Sequence, residues 1–291
     1  MTGNLQAIGF LLTWVLLWCL VGIGIEALLL QVGLIAPGGG SWAGGLGFLL
    51  WTLLIGFAGW ALFNRITGLT QPAPTLQASP WHEVPAPLQP VLAGLAPLDN
   101  QQLRLLLVLS QLGDFDSVEY AQAVMASWPQ LREAGVDVRA IGIGDAGSVD
   151  RFCDYTGFPK ERLSAGPEAR VHRDLGLYGG AEGFGGPWGN LLAMCAGIGS
   201  PGTLREVLRG YHGGGRYLPF WIASIRLWNM IEVLSHWGIY VPDERWMTQR
   251  GATFLISSDG SLHYSWKDPG LLGFSASMAE PLKFLKTNPA A

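Results

Sequence analysis

The sequence has little charge, few cysteines and no clustered basic residues, and each shortage excludes a class of protein. Lys, Arg, Asp and Glu make up 14% of the 291 residues, whereas about 25% is usual for soluble proteins. Three cysteines are too few for a scaffold held together by disulfides. The formal net charge is −4 and no long run of Lys or Arg occurs. Nucleic acid is therefore not expected as a partner, because binding to phosphates needs clustered positive charge.

The shortage of charge is concentrated at the N-terminus, where residues 1–64 contain a single charged side chain, Glu26. Residues 7–30 and 42–63 are apolar runs, and each exceeds the roughly 20 residues that a helix needs to cross a bilayer. We therefore predict a transmembrane hairpin over residues 1–68, in contact with the lipid bilayer. Glu26 has two interpretations: a proton or ion site inside the membrane, or a side chain that reaches the interface from the helix end.

A proline-rich stretch separates this hairpin from the rest of the chain. Residues 70–97 contain seven prolines, and because proline fixes φ and lacks an N–H group, we predict an extended linker over residues 69–100. Arg65 follows the second apolar run, whereas the turn between the runs has no Lys or Arg. The positive-inside rule then predicts that the domain at 101–291 is cytoplasmic.

Residues 101–291 alternate between strand and helix patterns. Strands are predicted at 103–109, 136–143, 252–256 and 262–266, the last two joined by a Ser-Ser-Asp-Gly hairpin signal. Helices are predicted at 116–134, 148–156, 168–175 and 275–286. Without residues 179–247 the order is β-α-β, α, β-β, α, which is the order of the thioredoxin fold. The predicted fold class is therefore α/β: a thioredoxin-like domain with a helical insertion, preceded by the transmembrane hairpin.

The predicted insertion, residues 179–247, has two parts. The first part, with the residues just before it, is rich in glycine, and the second contains an apolar helix at 220–237. Arg226 and Glu232 within this helix argue against a third membrane span. Two interpretations of the helix stay open: burial in the domain core, or contact with a membrane surface or a membrane-protein partner.

Two G-x-G-x-x-G motifs and five scattered histidines are the candidates for cofactor or metal binding. The motif at 142–147 follows a strand and opens a helix, as a dinucleotide site does. However, Asp145 would aim a carboxylate at the pyrophosphate, and residues 162–165 are too short and weakly apolar for the strand that should follow. The motif at 197–202 is explained by a helix start with Ser200 as its cap. The histidines lack metal-site spacing and are interpreted as surface or capping residues, so we expect no cofactor and no metal.

The turn after the first strand, SQLGDFDS at 110–117, is the most informative segment. Thioredoxin-fold enzymes place their reactive thiol here, because the helix N-terminus lowers the thiol pKa. Asp114, Asp116 and Ser117 occupy this place instead, and all three residue types cap helices well. The cysteines lie elsewhere, at Cys19, Cys153 and Cys195. Cys153 and Cys195 are interpreted either as a redox pair or as buried, inert thiols.

Several segments carry a resemblance to a known family: LRLLLVLSQLGDFDSVEYA at 103–121, GVDVRAIGIG at 135–144, RFCDYTGFP at 151–159, HRDLGLYGG at 172–180 and TQRGATFLISSDGSLHY at 248–264. On these residues the domain resembles the peroxiredoxin-like AhpC/TSA antioxidant-enzyme family of the thioredoxin-fold superfamily. The version with LGDFDS, RFCDYTGFP and the insertion resembles a branch found in cyanobacteria and plastids, which implies a thylakoid or plasma membrane.

The resemblance implies redox or antioxidant chemistry at a cysteine, and here the sequence departs from the family pattern. Aligned on Gly113, the cysteines of active family members fall on Asp114 and Ser117, so thiol peroxidase activity by this route is not expected. Arg250 falls where such peroxidases place an arginine near the thiolate. We predict a membrane-anchored peroxiredoxin-like protein of redox or antioxidant type that lacks the first-helix thiol. The alternatives are a non-catalytic binding or assembly module for a membrane complex, such as a photosynthetic one, and a nucleotide-dependent oxidoreductase.

Overall fold

The computed structural model describes residues 81–99, 102–180, 225–268 and 282–287, together with residues 16, 19–20, 22–24, 27–33, 186–188 and 191. The described residues of the first predicted span, at 7–30, are helical. The second predicted span, at 42–63, lies outside the described residues. Among the described residues, no helix has both the length and the hydropathy needed to cross a bilayer.

The described part of the domain is an α/β structure with five strands. The strands are β1 Leu103–Gln111, β2 Val136–Ile143, β3 Leu163–Gly166, β4 Ala252–Ser257 and β5 Leu262–Lys267. The helices are α1 Gln89–Ala93, α2 Phe115–Ala126, α3 Trp128–Glu133, α4 Ala146–Thr156, α5 Arg170–Asp174, α6 Ile225–Ser235, α7 Trp237–Tyr240 and α8 Lys283–Thr287. Short 3₁₀ turns cover Ala86–Leu88, Lys160–Arg162 and Glu244–Trp246.

The five strands form one mixed sheet in the order β3-β2-β1-β4-β5. β1, β2 and β3 run parallel, whereas β4 is antiparallel to both β1 and β5. The sheet thus combines a parallel β-α-β half with an antiparallel hairpin half, as predicted for a thioredoxin-like domain. The hairpin signal is also confirmed, because Gly260 takes a positive φ of 84° in the turn between β4 and β5.

The central strand β1 is buried along its whole length because both faces of the sheet are covered. Alternate residues of a strand point to opposite faces. Leu105 and its alternate neighbours join a core cluster with Phe152 of α4 and with residues of α2. Leu106 belongs to a second cluster on the other face, with Leu88 and Phe254. The continuous leucine run of β1 therefore reflects burial on two sides, as expected for a central strand.

Two predicted segments differ in the structure. The helix predicted at 116–134 is interrupted at Ser127 and continues as α3, since Pro129 lies in the first turn of α3 and has no N–H group to continue the α2 ladder. Part of the predicted linker at 69–100 also packs against the domain. Trp81 lies against Phe254, with ring centroids 5.0 Å apart, and Leu88 is fully buried. Prolines in this stretch fix turns that cover an apolar sheet face, so the extended prediction does not hold for residues 81–93.

Candidate functional site

The candidate site lies at the turn between β1 and α2, where thioredoxin-fold enzymes place their thiol. Asp114 is the N-cap of α2, and its side chain accepts a hydrogen bond from the Asp116 backbone N–H at 3.3 Å. Gly113 permits a close contact here, because a Cβ atom at this position would come within 2.7 Å of Val241 and 2.9 Å of Tyr240. The turn is therefore held between the helix that it begins and the end of α7.

Arg250 reaches this turn from the loop before β4. Its Nη1 lies 2.6 Å from Asp114 Oδ2 and 3.6 Å from Asp116 Oδ2. The Arg250 side chain is 5% exposed and that of Asp114 is 12% exposed, so the pair is almost removed from water. Burial raises the pKa of Asp114, while the charge of Arg250 acts in the opposite direction. We call Asp114, Asp116, Ser117 and Arg250 the first-helix site.

The segment that carries Arg250 is fixed by the backbone of residues 178–179. The Arg250 N–H donates to the Tyr178 carbonyl at 2.7 Å, and the Thr248 hydroxyl donates to the Gly179 carbonyl at 2.7 Å. Gln249 also donates to the Tyr178 carbonyl, at 3.1 Å. These bonds fix the backbone from which the Arg250 side chain reaches the start of α2, so the ion pair is a feature of the folded domain.

Hydroxyl groups continue the site into the core. Ser117 is fully buried, and its Oγ has no hydrogen-bond partner among the described residues. Tyr120, one turn later on α2, accepts a hydrogen bond from the Thr253 hydroxyl of β4 at 3.2 Å. Burial raises the pKa of Tyr120 above its ordinary value. None of these hydroxyls is ionised near neutral pH, so the described site offers two carboxyl groups, a guanidinium and neutral hydroxyl groups, but no thiolate.

The cysteines do not join the first-helix site in the part of the chain that the structure describes. Cys153 lies on α4 in the main core cluster and is 9% exposed. Burial raises the pKa of its thiol to about 11, and Asp150, Asp154 and Glu161 act in the same direction. At pH 7 roughly one molecule in ten thousand would carry this thiolate. Cys195 lies outside the described residues, so the predicted Cys153–Cys195 pair stays a prediction.

The glycine motif at 142–147 is explained by packing. A Cβ atom at Gly142 would lie 2.9 Å from Leu112, and one at Gly144 would lie 2.9 Å from Ser148. Asp145 and Ser148 form a capping box at the start of α4, and the Ser148 hydroxyl donates to the Ile239 carbonyl at 2.8 Å. The helix N-terminus is thus occupied by protein groups where a dinucleotide would need to bind.

The prediction that residues 162–165 do not form a strand after this motif is wrong, because β3 covers Leu163–Gly166. β3 pairs in parallel with β2, from Ala140 with Leu163 to Ile143 with Gly166. It is a four-residue edge strand and needs few apolar side chains, which is why its composition did not indicate a strand.

The interpretation of His172 as a surface or capping residue was also wrong. Its Nε2 lies 2.6 Å from the Leu109 carbonyl, and burial lowers its pKa to about 4.

The insertion helix α6 packs against the domain, as the core-burial interpretation predicts, whereas its contact with a membrane surface or a membrane-protein partner stays a prediction. Asn229 of α6 is fully buried and exchanges hydrogen bonds with Gln122 of α2 at 2.8 and 3.1 Å. Glu232 pairs with Arg151 of α4 at 2.5 Å. In contrast, Trp228 and Ile231 are 58% and 46% exposed. One side of α6 therefore closes the domain core, and the other presents apolar side chains.

The structure places Arg250 against Asp114, next to the helix start that also carries Ser117, and leaves Cys153 in the core. Sequence reasoning missed the Tyr120–Thr253 hydrogen bond, because the helical pattern of α2 indicates only that Tyr120 faces the core. Within the described ranges, no three His, Cys, Asp or Glu side chains lie close enough to hold a metal ion.

Comparison with known proteins gives one match. A family model described as AhpC/TSA antioxidant enzyme matches residues 124–270, just over half of the chain. The match begins within α2 and includes Cys153, Cys195 and Arg250, whereas Asp114 and Ser117 precede it. Neither the curated proteins nor the solved structures contain a match to the chain.

Proposed function

We propose that this chain, which belongs to the AhpC/TSA antioxidant-enzyme family, is a membrane-anchored member that acts by binding rather than by reducing peroxide at the first-helix site. The observation that carries the proposal is the 2.6 Å contact between Arg250 Nη1 and Asp114 Oδ2. Peroxide reduction needs a thiolate nucleophile. In this site the arginine that would favour a thiolate is neutralised by a carboxylate, which can neither attack peroxide nor pass through a sulfenic acid.

The proposed binding partner is a membrane protein or membrane assembly, a photosynthetic one if the resemblance to the cyanobacterial branch holds. Two features support this proposal. The N-terminal apolar runs would hold the domain at a bilayer, and Trp228, Ile231 and Ile239 give α6 and α7 exposed apolar side chains. Thioredoxin-like folds can keep a binding role without their redox chemistry, since function depends on the site rather than the fold.

A second candidate function is thiol redox chemistry at Cys195, in line with the antioxidant name of the family. The observation in its favour is that the family match extends across Cys195. The burial of Cys153 and its raised pKa make that thiol the weaker choice of the two.

Hydrogen peroxide consumption by the full chain, coupled to a thioredoxin system, separates the two candidates. We expect no turnover by the wild type or by a Cys153→Ser, Cys195→Ser double variant. Turnover that the double substitution abolishes would establish the redox function and contradict the binding-only proposal. Asp114→Cys provides a positive control, because Arg250 and the helix N-terminus would lower the pKa of a thiol at this position.

Membrane anchoring has its own test. Carbonate washing of membranes should leave the full chain in the pellet, because two apolar spans are held by the bilayer rather than by charge. Release of the full chain into the wash would contradict the anchor. Protease added to sealed inside-out vesicles should remove the domain if it is cytoplasmic, and protection of the domain would reverse the proposed orientation.

A further inference from the structure

A cavity of about 300 Å³ lies where β1 and β2 begin, at the opposite end of β1 from the first-helix site. It is lined by residues 96–98 and 102, by the starts of β1 and β2, and by Arg132 and Arg162. The distance along β1 from Arg104 to Gln111 is roughly 23 Å at about 3.3 Å per residue, so the two places are separate. The cavity has the size of a small ligand site, at the lower end of the usual range.

Four arginines line this cavity: Arg104, Arg132, Arg139 and Arg162. Asp137 is the one acidic residue among its described lining residues. The lining therefore carries more positive than negative charge in a protein whose net charge is −4. We call these four arginines with Asp137 the arginine pocket.

Asp137 fixes the directions of three of the four guanidinium groups. Arg104 Nε lies 2.9 Å from its carboxylate, Arg139 Nε lies 3.1 Å away, and Arg162 Nη1 lies 2.7 Å away. Burial alone would raise the pKa of Asp137, but hydrogen bonds from Arg104 and Arg139 lower it overall. A single carboxylate, ionised at neutral pH, thus pre-organises three cations.

Further contacts hold the arginines in place and leave donors unused. Arg104 Nη2 donates to the Ala96 carbonyl at 2.5 Å, and Arg162 lies 5.6 Å from the centre of the Trp128 ring. A guanidinium has five N–H groups. The Nη1 group of Arg104 and the Nη2 groups of Arg139 and Arg162 make no bond to a described residue.

We propose that the arginine pocket binds a phosphate-bearing anion. Planar guanidinium groups match the oxygens of a phosphate, and several of them around one open cavity favour it over chloride. Asp137 neutralises one positive charge and leaves the others to the anion, whereas a purely structural salt bridge would need one arginine. The anion could be free phosphate or the phosphodiester of a lipid headgroup, since both offer the same oxygens. The pocket begins at the end of the segment that leads from the proposed membrane anchor.

Titration calorimetry on the full chain in a nonionic detergent tests the proposal with two probes at constant ionic strength. The probes are inorganic phosphate and glycerophosphoglycerol, the chain-free headgroup of an anionic lipid. Arg139→Gln should weaken binding about tenfold, and Arg139→Lys less, because lysine keeps the charge but loses the planar fork. Arg170→Gln is the matched control, since it removes the same charge from a side chain that lies on α5, outside the pocket, and is 84% exposed. It should leave binding within about twofold.

Arg132→Gln is a second variant that tests the pocket even if Arg139→Gln disturbs the fold. Arg132 is exposed, and its side chain forms no hydrogen bond or ion pair with a described residue, so the loss of its guanidinium leaves the Asp137 contacts intact. It should also weaken binding several-fold. Tighter binding of glycerophosphoglycerol would identify a lipid headgroup as the source, and tighter binding of phosphate a soluble anion. Absence of binding of either probe to the wild type would overturn the proposal, as would equal affinities for Arg132→Gln, Arg139→Gln and Arg170→Gln.

Discussion

Replacing Asp114 by asparagine should destabilise the domain far more than the same change at Asp116. Asparagine caps a helix as well as aspartate does, so Asp114→Asn removes the charge and keeps the cap. At 2.6 Å and an effective dielectric constant of about 20, the attraction lost is about 6 kcal/mol. Desolvation of the carboxylate, the largest cause of its raised pKa, opposes this attraction, so the expected cost of Asp114→Asn comes from leaving the Arg250 guanidinium buried without the Asp114 charge. Breaking a buried pair costs about 3–5 kcal/mol in practice.

We expect a loss of about 3 kcal/mol for Asp114→Asn, at the lower limit because Asp116 remains 3.6 Å from Arg250 Nη1. Asp116→Asn should cost about 0.3–1 kcal/mol, the usual value for an acid in the first turn. Urea unfolding followed by circular dichroism measures both losses. The slope of the free energy of unfolding against urea concentration should be the same in both variants as in the wild type. Equal losses for the two variants would show that Arg250 does not depend on Asp114, and the first-helix ion pair would lose its assigned role.

Three further predictions concern other buried groups. The free energy of unfolding should fall by about 3 kcal/mol as pH falls from 6.5 to 4. Over this range His172 takes up a proton in the unfolded chain, whereas in the folded protein burial lowers its pKa to about 4 and it stays neutral. His172→Gln, which can still donate to the Leu109 carbonyl, should remove this part of the pH dependence in acid titrations. Gly113→Ala should lower stability by about 1–3 kcal/mol through its clash with α7, whereas Gly147→Ala, whose Cβ would make an ordinary 3.4 Å contact, should not. In a variant that keeps Cys153 as its single cysteine, iodoacetamide should react slowly at pH 7 and rapidly in urea; fast labelling of the folded protein would contradict the burial of this thiol.

The central elements of the fold could be predicted from the sequence because their patterns are local. β2 has the predicted bounds, and the turn between β4 and β5 lies where Ser-Ser-Asp-Gly indicated. Elements that depend on distant partners were missed or changed. β3 becomes a strand because β2 offers it a free edge, and Trp81 packs because β4 presents Phe254. The residues of β3 and those around Trp81 do not themselves indicate these distant partners.

The first-helix site could be predicted in part. The helix start indicated Asp114 and Ser117 as its first polar residues, since caps are a local signal. Arg250 lies 136 positions away in the chain, and no spacing rule connects it with Asp114. Its place came from the family resemblance, and its contact with a carboxylate could not be predicted because active members have a thiol there. The arginine pocket was not indicated by the sequence, since its four arginines are spread over two strands, one helix and a 3₁₀ turn.

The packing of Trp81 on Phe254 shortens the linker between the proposed anchor and the domain. If the chain were free up to residue 102, the domain could lie far from the bilayer. Because the chain is attached to the domain at residue 81, about 18 residues connect it to the end of the proposed anchor, and the distance between the two is limited to roughly 60 Å at full extension. A molecule confined to a hemisphere of that radius has an effective concentration in the millimolar range. Even a weak contact with a neighbour in the same membrane would then be occupied for much of the time, so the affinity measured for the free domain would understate its occupancy in place.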